Sequence, residues 1–336
     1  MSPFVSVIIV NYNAGDRLQK CIEHLEAQTF KDFEVLIIDN GSEDGSADSL
    51  HAPNLNMSVK MAGENLGFAA GNNVIAREAK GRWLAFLNPD AYADENWLEE
   101  FVAATKRYPH VAAFGSTQID AVNTERLDGA GDVYHILGIA YRGYYGWDIG
   151  ALPEEGEVFA ACGAGAFYKT QTFRELGGFE ERFFCYCEDV DLGYRLRLAG
   201  GQTVQLSKAI IAHEGSAISG RHSDFTIYHG HRNRIWTAYK NTPFWLYWPF
   251  LPLHFLANLY LFIRSIKAGI TRPYLKGIIH GYKRLPQFKN DRRASLKNRK
   301  VSYKSLVQAA EWSPFKILSR KGKNWPYRNL SARDKT

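Results

Sequence analysis

The sequence is poor in cysteine, and it lacks the motifs that identify several common protein classes. Four cysteines among 336 residues are too few for a disulfide scaffold, and no Cys-x-x-Cys pair of the kind that binds zinc is present. No Gly-x-Gly-x-x-Gly motif follows the first apolar run, which argues against a dinucleotide-binding Rossmann domain. These absences favour a protein of a reducing compartment without structural disulfides.

The N-terminus lacks the features of a targeting segment. It has no basic stretch before its apolar run, and that run covers only residues 4–10. A secretory signal peptide needs the basic stretch, and a spanning helix needs a run of about 20 apolar residues. We therefore expect the chain in the cytoplasm.

Acidic residues are nearly absent from the end of the chain. The last 73 residues hold 20 lysines and arginines and three acids, a balance of +17 that leaves −11 for the residues before them. Such a block indicates a polyanionic partner, either nucleic acid or an anionic membrane surface. Nucleic acid is disfavoured because the block follows an apolar, tryptophan-rich run and contains no DNA- or RNA-binding motif.

That apolar run, residues 241–263, carries no formal charge. Its three prolines argue against a straight membrane-spanning helix, although its length would suffice. Its tryptophans and tyrosines are residue types that favour the membrane–water boundary. We predict an interfacial or re-entrant segment followed by basic helices on anionic headgroups. The alternative is a hydrophobic helical hairpin packed on the first domain or on a second copy of the chain.

The first 120 residues alternate between strand and helix patterns. Continuous apolar runs, typical of strands buried on both faces, predict strands at 4–10, 33–38 and 83–87, with another ending near 62. Helical spacing or helix-start signals lie at 18–25, after 44–46, after 67 and from 94. Further strands are predicted at 159–168, 203–206 and 209–212, and a helix from 188 to a Gly-Gly stop at 200–201. Residues 121–157 are predicted to form irregular loop and short strands that shape a binding surface. The pattern predicts an α/β fold with a mostly parallel sheet between helices.

Polar clusters follow the predicted strands at their carboxyl ends, where parallel sheets bind ligands. They are Asn11-Tyr12-Asn13, Asp39-Asn40, Asn65-Leu66-Gly67 and Asn88-Pro89-Asp90. Each cluster alone has a plain structural explanation, because Asn, Asp, Gly and Pro commonly form turns at strand ends. Four clusters on one edge of the sheet predict a shared binding site.

Six fragments of the sequence together resemble one enzyme family. They lie at 5–13, 37–46, 64–73, 87–91, 177–200 and 213–216. In this order they resemble the inverting glycosyltransferases of family 2, in particular the bacterial rhamnosyltransferase-like branch. The resemblance covers about residues 4–240 and implies a GT-A domain over 1–240, with a nucleotide-binding, mostly parallel sheet flanked by helices. Residues 241–336 would then form a C-terminal aromatic and basic region that associates with a membrane.

The resemblance implies a site for a nucleotide sugar. Asn11, Tyr12 and Asp39 correspond to the positions that hold the base and ribose in the family. Asp39 would accept a hydrogen bond from N3–H of uracil or thymine. Residues 65–73 correspond to the segment along the nucleotide and donor sugar, where glycine permits close approach of the backbone. Within that segment, the expected contacts are Asn65, Gly67 and Asn72.

The family's acidic metal motif is represented here by Asn88-Pro89-Asp90, in which the first acid is missing. The resemblance therefore makes Asp90 the principal carboxylate on Mg²⁺ or Mn²⁺, with Asn88 beside it at the donor. His213 corresponds to the second metal ligand of the family. An imidazole among oxygen ligands suits Mn²⁺ somewhat better than Mg²⁺.

The resemblance also implies the catalytic base. Inverting transfer needs one base, which takes a proton from the acceptor hydroxyl as that oxygen attacks opposite the leaving diphosphate. In the family an acidic pair supplies it, and the pair corresponds to Glu188 and Asp189. We expect Asp189 to be the base and Glu188 to bind the acceptor or orient the loop.

The expected activity is transfer of a sugar, L-rhamnose from dTDP-L-rhamnose, to a saccharide or lipid-linked acceptor in cell-envelope polysaccharide synthesis. Transfer of a UDP-linked hexose or N-acetylhexosamine is the alternative within the family. A non-catalytic sugar- or polyanion-binding protein is the alternative outside it. We expect a peripheral protein on the inner face of the bacterial plasma membrane.

Overall fold

A ten-stranded mixed sheet organises the computed structural model, which describes residues 2–48, 50–215, 220 and 223–328. The strands are β1 (Val5–Asn11), β2 (Phe33–Asp39), β3 (Met57–Met61), β4 (Trp83–Leu87), β5 (Ala91–Ala93), β6 (Ala113–Asp120), β7 (Leu127–Gly129), β8 (Asp132–His135), β9 (Ile139–Arg142), β10 (Gly156–Val158), β11 (Gly165–Lys169) and β12 (Thr203–His213). Strands β8 and β9 form a separate antiparallel pair.

Helices cover the sheet and form the end of the chain. They are α1 (Asp16–Glu26), α2 (Gly67–Ala76), α3 (Trp97–Arg107), α4 (Thr170–Glu175), α5 (Glu188–Leu198), α6 (Asp224–Asn241), α7 (Phe244–Tyr247), α8 (Leu251–Lys267), α9 (Thr271–Lys283), α10 (Lys289–Lys297), α11 (Tyr303–Ala309) and α12 (Pro314–Ser319). Short 3₁₀ helices lie at Ile149–Ala151, Glu181–Phe183 and Leu285–Phe288.

The predicted parallel sheet is confirmed in the first part of the chain. The order β3-β2-β1-β4 is parallel throughout, and every residue of β1 and β2 is buried, as their continuous apolar runs indicate. Beyond β4 the sheet is mixed, because β11 lies antiparallel between β4 and β6. The carboxyl ends of β1, β2 and β4 therefore share one edge, which brings the polar clusters together.

Three local predictions were wrong. Residues 46–48 form a turn instead of the start of a helix, because Asp44 accepts hydrogen bonds from the backbone N–H groups of Gly15 and Ser46. The strand predicted at 159–168 begins only at Gly165. Its first half instead forms a loop whose backbone serves the site described below. The two strands predicted at 203–212 are one strand, β12, with a bulge between Leu206 and Ile210.

The C-terminal helices pack on the α/β part of the chain. Trp236 of α6 is buried between Phe183 and Phe288, with ring centroids 5.7 Å and 5.1 Å away. Helix α9 packs along α6, and the Trp236 indole donates to the carbonyl of Gly281 in α9 at 2.9 Å. Farther along, Trp325 pairs with Glu157 of β10 through two backbone hydrogen bonds. Residues beyond 240 therefore share a core with the residues before them.

The outer face of α7 and α8 is apolar and exposed. Trp245 is 70 % exposed and Phe255 67 %, and several other large apolar side chains of α8 also face outward. Within the described residues, no helix has the length and the apolar character needed to cross a membrane.

Candidate active site

The ends of β1 and β2 are joined by side-chain hydrogen bonds. The side-chain amide of Asn11 donates to Asp39 at 2.7 Å and to Ser46 at 2.8 Å. The second carboxylate oxygen of Asp39 accepts from the backbone N–H of Ser42 at 3.0 Å. Asn11 and Asp39 are buried, whereas Tyr12 is 38 % exposed. The parallel register pairs Asn11 directly with Asp39, which explains why these two predicted residues meet.

Residues 65–67 are held against the end of β2 by Asn40. Its side chain donates to Asn65 Oδ1 at 3.1 Å and accepts from the backbone N–H of Leu66 at 3.1 Å. Gly67 has φ +81°, and a Cβ there would lie 2.5 Å from the ring of Phe184. A side chain at this position is therefore excluded on two grounds, backbone conformation and space.

Asn72 lies in α2 and is buried. Its amide donates to the carbonyl of Phe68, one turn earlier in the same helix, at 2.9 Å. The adjacent Asn73 bonds the backbone of Phe179 in both directions and so joins α2 to the segment before α5. A structural role is evident for both side chains, and the ligand contact of Asn72 stays a prediction.

Strand pairing brings the two predicted metal ligands together. His213, the last residue of β12, is paired with Ala91, and Asp90 directly precedes Ala91. His213 Nε2 lies 3.4 Å from Asp90 Oδ1 and 3.3 Å from the amide nitrogen of Asn88. The Nδ1 atom of His213 lies 2.7 Å from Asp128 Oδ2.

The charged forms of Asp90 and His213 stabilise each other. Burial raises the pKa of Asp90, but the hydrogen bond and charge of His213 outweigh this and hold the pKa below its ordinary value. Burial lowers the pKa of His213, but hydrogen bonds to Asp128 and Asp90 outweigh this and raise it. The Oδ1 atom of Asn88 is buried without a hydrogen-bond partner in the described residues. Asp90, His213 and Asn88 thus present a carboxylate, an imidazole and an amide oxygen within one small volume.

The acidic pair begins α5 after an unusual loop. Phe184, Tyr186 and Cys187 all have φ between +66° and +73°, a region that costs non-glycine residues energy. The side-chain amide of Asn233 in α6 donates to the carbonyls of Phe183, Cys185 and Tyr186 at 2.8 to 2.9 Å. This amide holds the loop in the conformation that delivers the acidic pair.

Asp189 and Glu188 differ in their surroundings. The Asp189 carboxylate is half-buried and accepts from the backbone N–H of Gly163 at 2.9 Å and from that of Val190 at 2.7 Å. Burial raises the pKa of Asp189. Glu188 is buried more deeply, and its Oε2 atom has no hydrogen-bond partner in the described residues. Burial, together with the charge of Asp189, raises the pKa of Glu188 well above its ordinary value.

A family model matches the part of the chain that forms most of the sheet. The model described as glycosyl transferase family 2 matches residues 6–177. The chain belongs to this family. The predicted family is therefore confirmed, and the chain is a hexosyltransferase.

Two curated relatives of this glycosyltransferase have similar sequences. An N-acetylglucosaminyl-diphospho-decaprenol L-rhamnosyltransferase of Mycobacterium tuberculosis is 28 % identical over 248 residues, which are 66 % of this chain and 79 % of the relative. An O-antigen biosynthesis protein, RfbC of Myxococcus xanthus, is 30 % identical over 239 residues, 64 % of this chain and 18 % of that longer protein.

Solved structures confirm that the glycosyltransferase has the GT-A fold. TarS 1–349 of S. aureus in complex with UDP-GlcNAc superposes with a TM-score of 0.54 at 17 % identity, covering 93 % of both chains. GalNAc-T7 with UDP, GalNAc and Mn²⁺ gives a TM-score of 0.58 at 17 % identity, and the match covers 71 % of this chain and 48 % of that one. At this level of identity the likeness concerns the fold alone.

Three site residues of the glycosyltransferase carried no recognisable signal in the sequence. Arg142 contacts Asp128, the partner of His213, and is paired across β8 and β9 with Asp132. Ligand atoms of Asp132, Cys162 and Asp189 lie within 4.8 Å of one another. The positive charge of Arg142 acts on Asp132 and Asp189, so we assign no metal to this cluster. The three missed residues, Asp128, Asp132 and Arg142, lie in the stretch 121–157, which was predicted as irregular loop and short strands.

A cavity of about 1000 Å³ opens in front of the acidic pair. Asn88, Gly163 and the acidic pair line one end, next to the predicted metal ligands. Helices α6, α8 and α12 contribute another wall. The glycosyltransferase therefore has a space of the size of a small ligand beside its predicted base.

The buried Glu188 predicts a pH-dependent stability difference. A pKa raised above the ordinary 4.5 means that the folded chain binds more protons than the unfolded chain above that pH, so the free energy of unfolding falls as the pH rises through this window. Glu188→Gln removes this loss. Relative to the unmodified chain, we expect the variant to be more stable at pH 8 than at pH 5, measured by urea unfolding.

The matched control is Glu95→Gln, at an exposed acid before α3. It should change the stability difference between the two pH values by less than Glu188→Gln does. If both variants respond to pH alike, the carboxyl of Glu188 is not held in its protonated form.

Proposed function

We propose that the chain transfers L-rhamnose from dTDP-L-rhamnose, with inversion at the anomeric carbon, to a lipid-linked saccharide in cell-envelope polysaccharide synthesis. The strongest support is one juxtaposition. Asp189, with its raised pKa, lines the same cavity as Asn88, which contacts His213 of the predicted metal pair. A base and a leaving-group site on one cavity are what an inverting transfer requires.

In this proposal Asp189 takes the proton of the acceptor hydroxyl. The acceptor oxygen forms a bond to the anomeric carbon while the bond from that carbon to the diphosphate oxygen breaks. The hydrogen bonds from the N–H groups of Gly163 and Val190 aim the carboxylate, and its raised pKa strengthens it as a base. Glu188, kept protonated by burial, donates to an acceptor oxygen.

Asp90 and His213 would hold a divalent ion, Mg²⁺ or Mn²⁺. Asp128 fixes His213 through Nδ1, which leaves Nε2 directed at Asp90 as a ligand atom. The unpartnered Oδ1 of Asn88 adds an oxygen donor at the place of the family's missing acid. When bound, the ion neutralises charge on the leaving diphosphate.

Asn11, Tyr12 and Asp39 would bind the pyrimidine and ribose, and Asn65, Gly67 and Asn72 would follow the donor sugar. These contacts serve thymine and uracil alike, so a UDP-hexose or UDP-N-acetylhexosamine is the alternative donor. Rhamnose is favoured because the mycobacterial relative is named as a rhamnosyltransferase acting on a lipid diphosphate. The acidic pair in the cavity favours catalysis over sugar or polyanion binding alone.

We also propose that the enzyme is peripheral on the inner face of the plasma membrane. Exposed aromatic residues of α7 and α8 would insert at the interface, and the excess of positive charge in the last 73 residues would attract anionic headgroups. Each lysine or arginine near such a surface contributes on the order of 1 kcal/mol. Apolar insertion and charge together satisfy the two-signal requirement for stable peripheral binding.

Asp189→Asn should reduce turnover by roughly 10²- to 10⁴-fold, because the amide keeps the shape but cannot accept the proton. Donor affinity should stay nearly unchanged, since the donor contacts lie elsewhere. Steady-state kinetics and donor titration separate the two effects. If Glu188→Gln loses turnover while Asp189→Asn does not, the base is the other acid.

Asp90→Ala should abolish the metal-dependent part of donor binding, and Asn88→Ala should weaken it. dTDP-L-rhamnose with Mn²⁺ at 100 times its Kd should stabilise the unmodified chain by about 2.7 kcal/mol, measured by thermal unfolding. Glu95→Ala is the control and should bind normally. Equal protection by the donor in excess EDTA contradicts the metal assignment, and stronger protection by UDP-sugars contradicts the donor.

The chain should sediment with anionic liposomes and be only partly released by high salt, because the aromatic face remains inserted when charge is screened. Replacing Trp245 and Phe255 by serine should make release at high salt nearly complete. Val122→Ser, at an apolar residue that is 89 % exposed in a loop, should change nothing. Equal recovery of the chain in the supernatant with and without liposomes contradicts the proposal.

A further inference from the structure

The wall of the cavity that faces the acidic pair comes from the C-terminal part of the chain. Arg264 and Lys267 of α8 line this wall, together with Arg320 just after α12 and Arg234 of α6. On the other side, Arg142 and Asp189 belong to the α/β part. Residues beyond 240, predicted to bind a membrane or to pack as a hairpin, therefore also line the cavity.

The four cations on this wall have no acidic partner in the described part of the chain. Arg264, Lys267 and Arg320 are exposed, and none of them forms an ion pair there. Arg234 is only 8 % exposed, and the hydrogen-bonding partners of its guanidinium are neutral: His231 at 3.1 Å and the side chain of Asn258. A buried cation without a counter-charge is costly unless an anion completes the site.

The cations and the predicted metal pair lie on different elements. Asp90 and His213 belong to the sheet, where Asn88 beside them lines the cavity, whereas the cations belong to the helices and to the segment after α12. The proposed function places the donor diphosphate at the metal pair, so an anion at the helical wall would belong to the acceptor. Guanidinium groups bind phosphate oxygens in pairs, so several arginines in one wall suit a phosphate or diphosphate.

An apolar surface adjoins the cationic wall. On α8, Ile263 and Ile266 alternate with the cations and are 48 % and 55 % exposed. Leu318 of α12, which also lines the cavity, is 59 % exposed. A ligand with its anionic group at the wall therefore has an apolar path out of the cavity along α8 and α12.

We infer that Arg234, Arg264, Lys267 and Arg320 bind the diphosphate of an acceptor that carries an apolar chain. The saccharide would then point toward Asp189, and the chain would lie along α8 toward the membrane. This inference rests on the proposed function for the role of the acceptor. The anion site itself is a property of the wall and can be tested without sugar transfer.

The probe is farnesyl diphosphate, titrated calorimetrically into the full chain in EDTA without donor, with farnesol for comparison. The unmodified chain should bind the diphosphate at least tenfold more tightly than the alcohol. Arg264→Gln with Lys267→Gln should remove most of that preference. Lys283→Gln with Lys297→Gln removes the same charge from exposed positions outside the cavity and should retain it.

Two results of the titrations would overturn the inference, and a competition experiment adds a third. One is equal affinity for farnesyl diphosphate and farnesol in the unmodified chain. The other is an equal loss in both double variants, which would assign the effect to general surface charge. Short-chain phosphatidylglycerol is added as a competitor, and displacement of the probe at equal concentration would identify a headgroup site instead.

Arg234 is tested separately, because its removal from a buried position affects folding. Arg234→Lys keeps the charge but loses the paired hydrogen bonds, so it should weaken probe binding. Urea unfolding with a midpoint close to that of the unmodified chain shows that the variant is folded. Unchanged probe binding in the folded variant would remove Arg234 from the site. Probe binding without any sugar transfer would refute the proposed function alone, and transfer without probe binding would refute this site alone.

Discussion

A buried carboxylate, Asp191, joins α5 to α6, the helix that leads into the C-terminal region. It is fully buried and accepts hydrogen bonds from Arg195 at 2.8 Å, Lys240 at 3.0 Å and Asn241 at 2.7 Å. Burial alone raises the pKa of Asp191, but the charges of Lys240 and Arg195 outweigh it and lower the pKa to about 2. Because separated buried charges are strongly destabilising, α5 and α6 have to stay together.

The position of this ion cluster decides how the two halves of the site meet. Strand pairing brings Asp90 and His213 together, so the proposed donor side belongs to the sheet. Helix α5 carries Asp189, and α6 carries both Asn233, which holds the loop before α5, and Arg234, which faces the cavity. The proposed acceptor side is thus built by helices whose placement depends on the Asp191 cluster.

The sequence was most informative where one physical cause dominates. The continuous β-branched run of β1 and the aromatic run of β4 predicted buried parallel strands, because only such strands hide both faces. The polar clusters predicted a binding edge because the carboxyl ends of parallel strands lie at one edge of the sheet. The family resemblance supplied roles for Asp90, Asp189 and His213, and these roles remain predictions.

The rest depended on contacts between distant parts of the chain. Asp128 and Arg142 lie in strands of three and four residues, too short for a periodic pattern. Their importance comes from the pairing of β8 with β9 and from the approach of His213. The helical wall of the cavity was hidden in the same way, since an apolar, basic segment is equally compatible with packing on protein and with binding a membrane.

The contacts of the Asn233 amide determine which side chains at position 233 can support the loop before the acidic pair. Its side chain faces three carbonyl oxygens, and two N–H bonds of one amide group satisfy all of them. Aspartate has nearly the same size and shape, yet it would present a negative oxygen where the nitrogen stands. A change of one atom, in a residue that never meets the sugar, would turn attraction into repulsion and release the left-handed turn. Spontaneous deamidation at this position would therefore displace the loop that delivers Glu188 and Asp189 to the cavity.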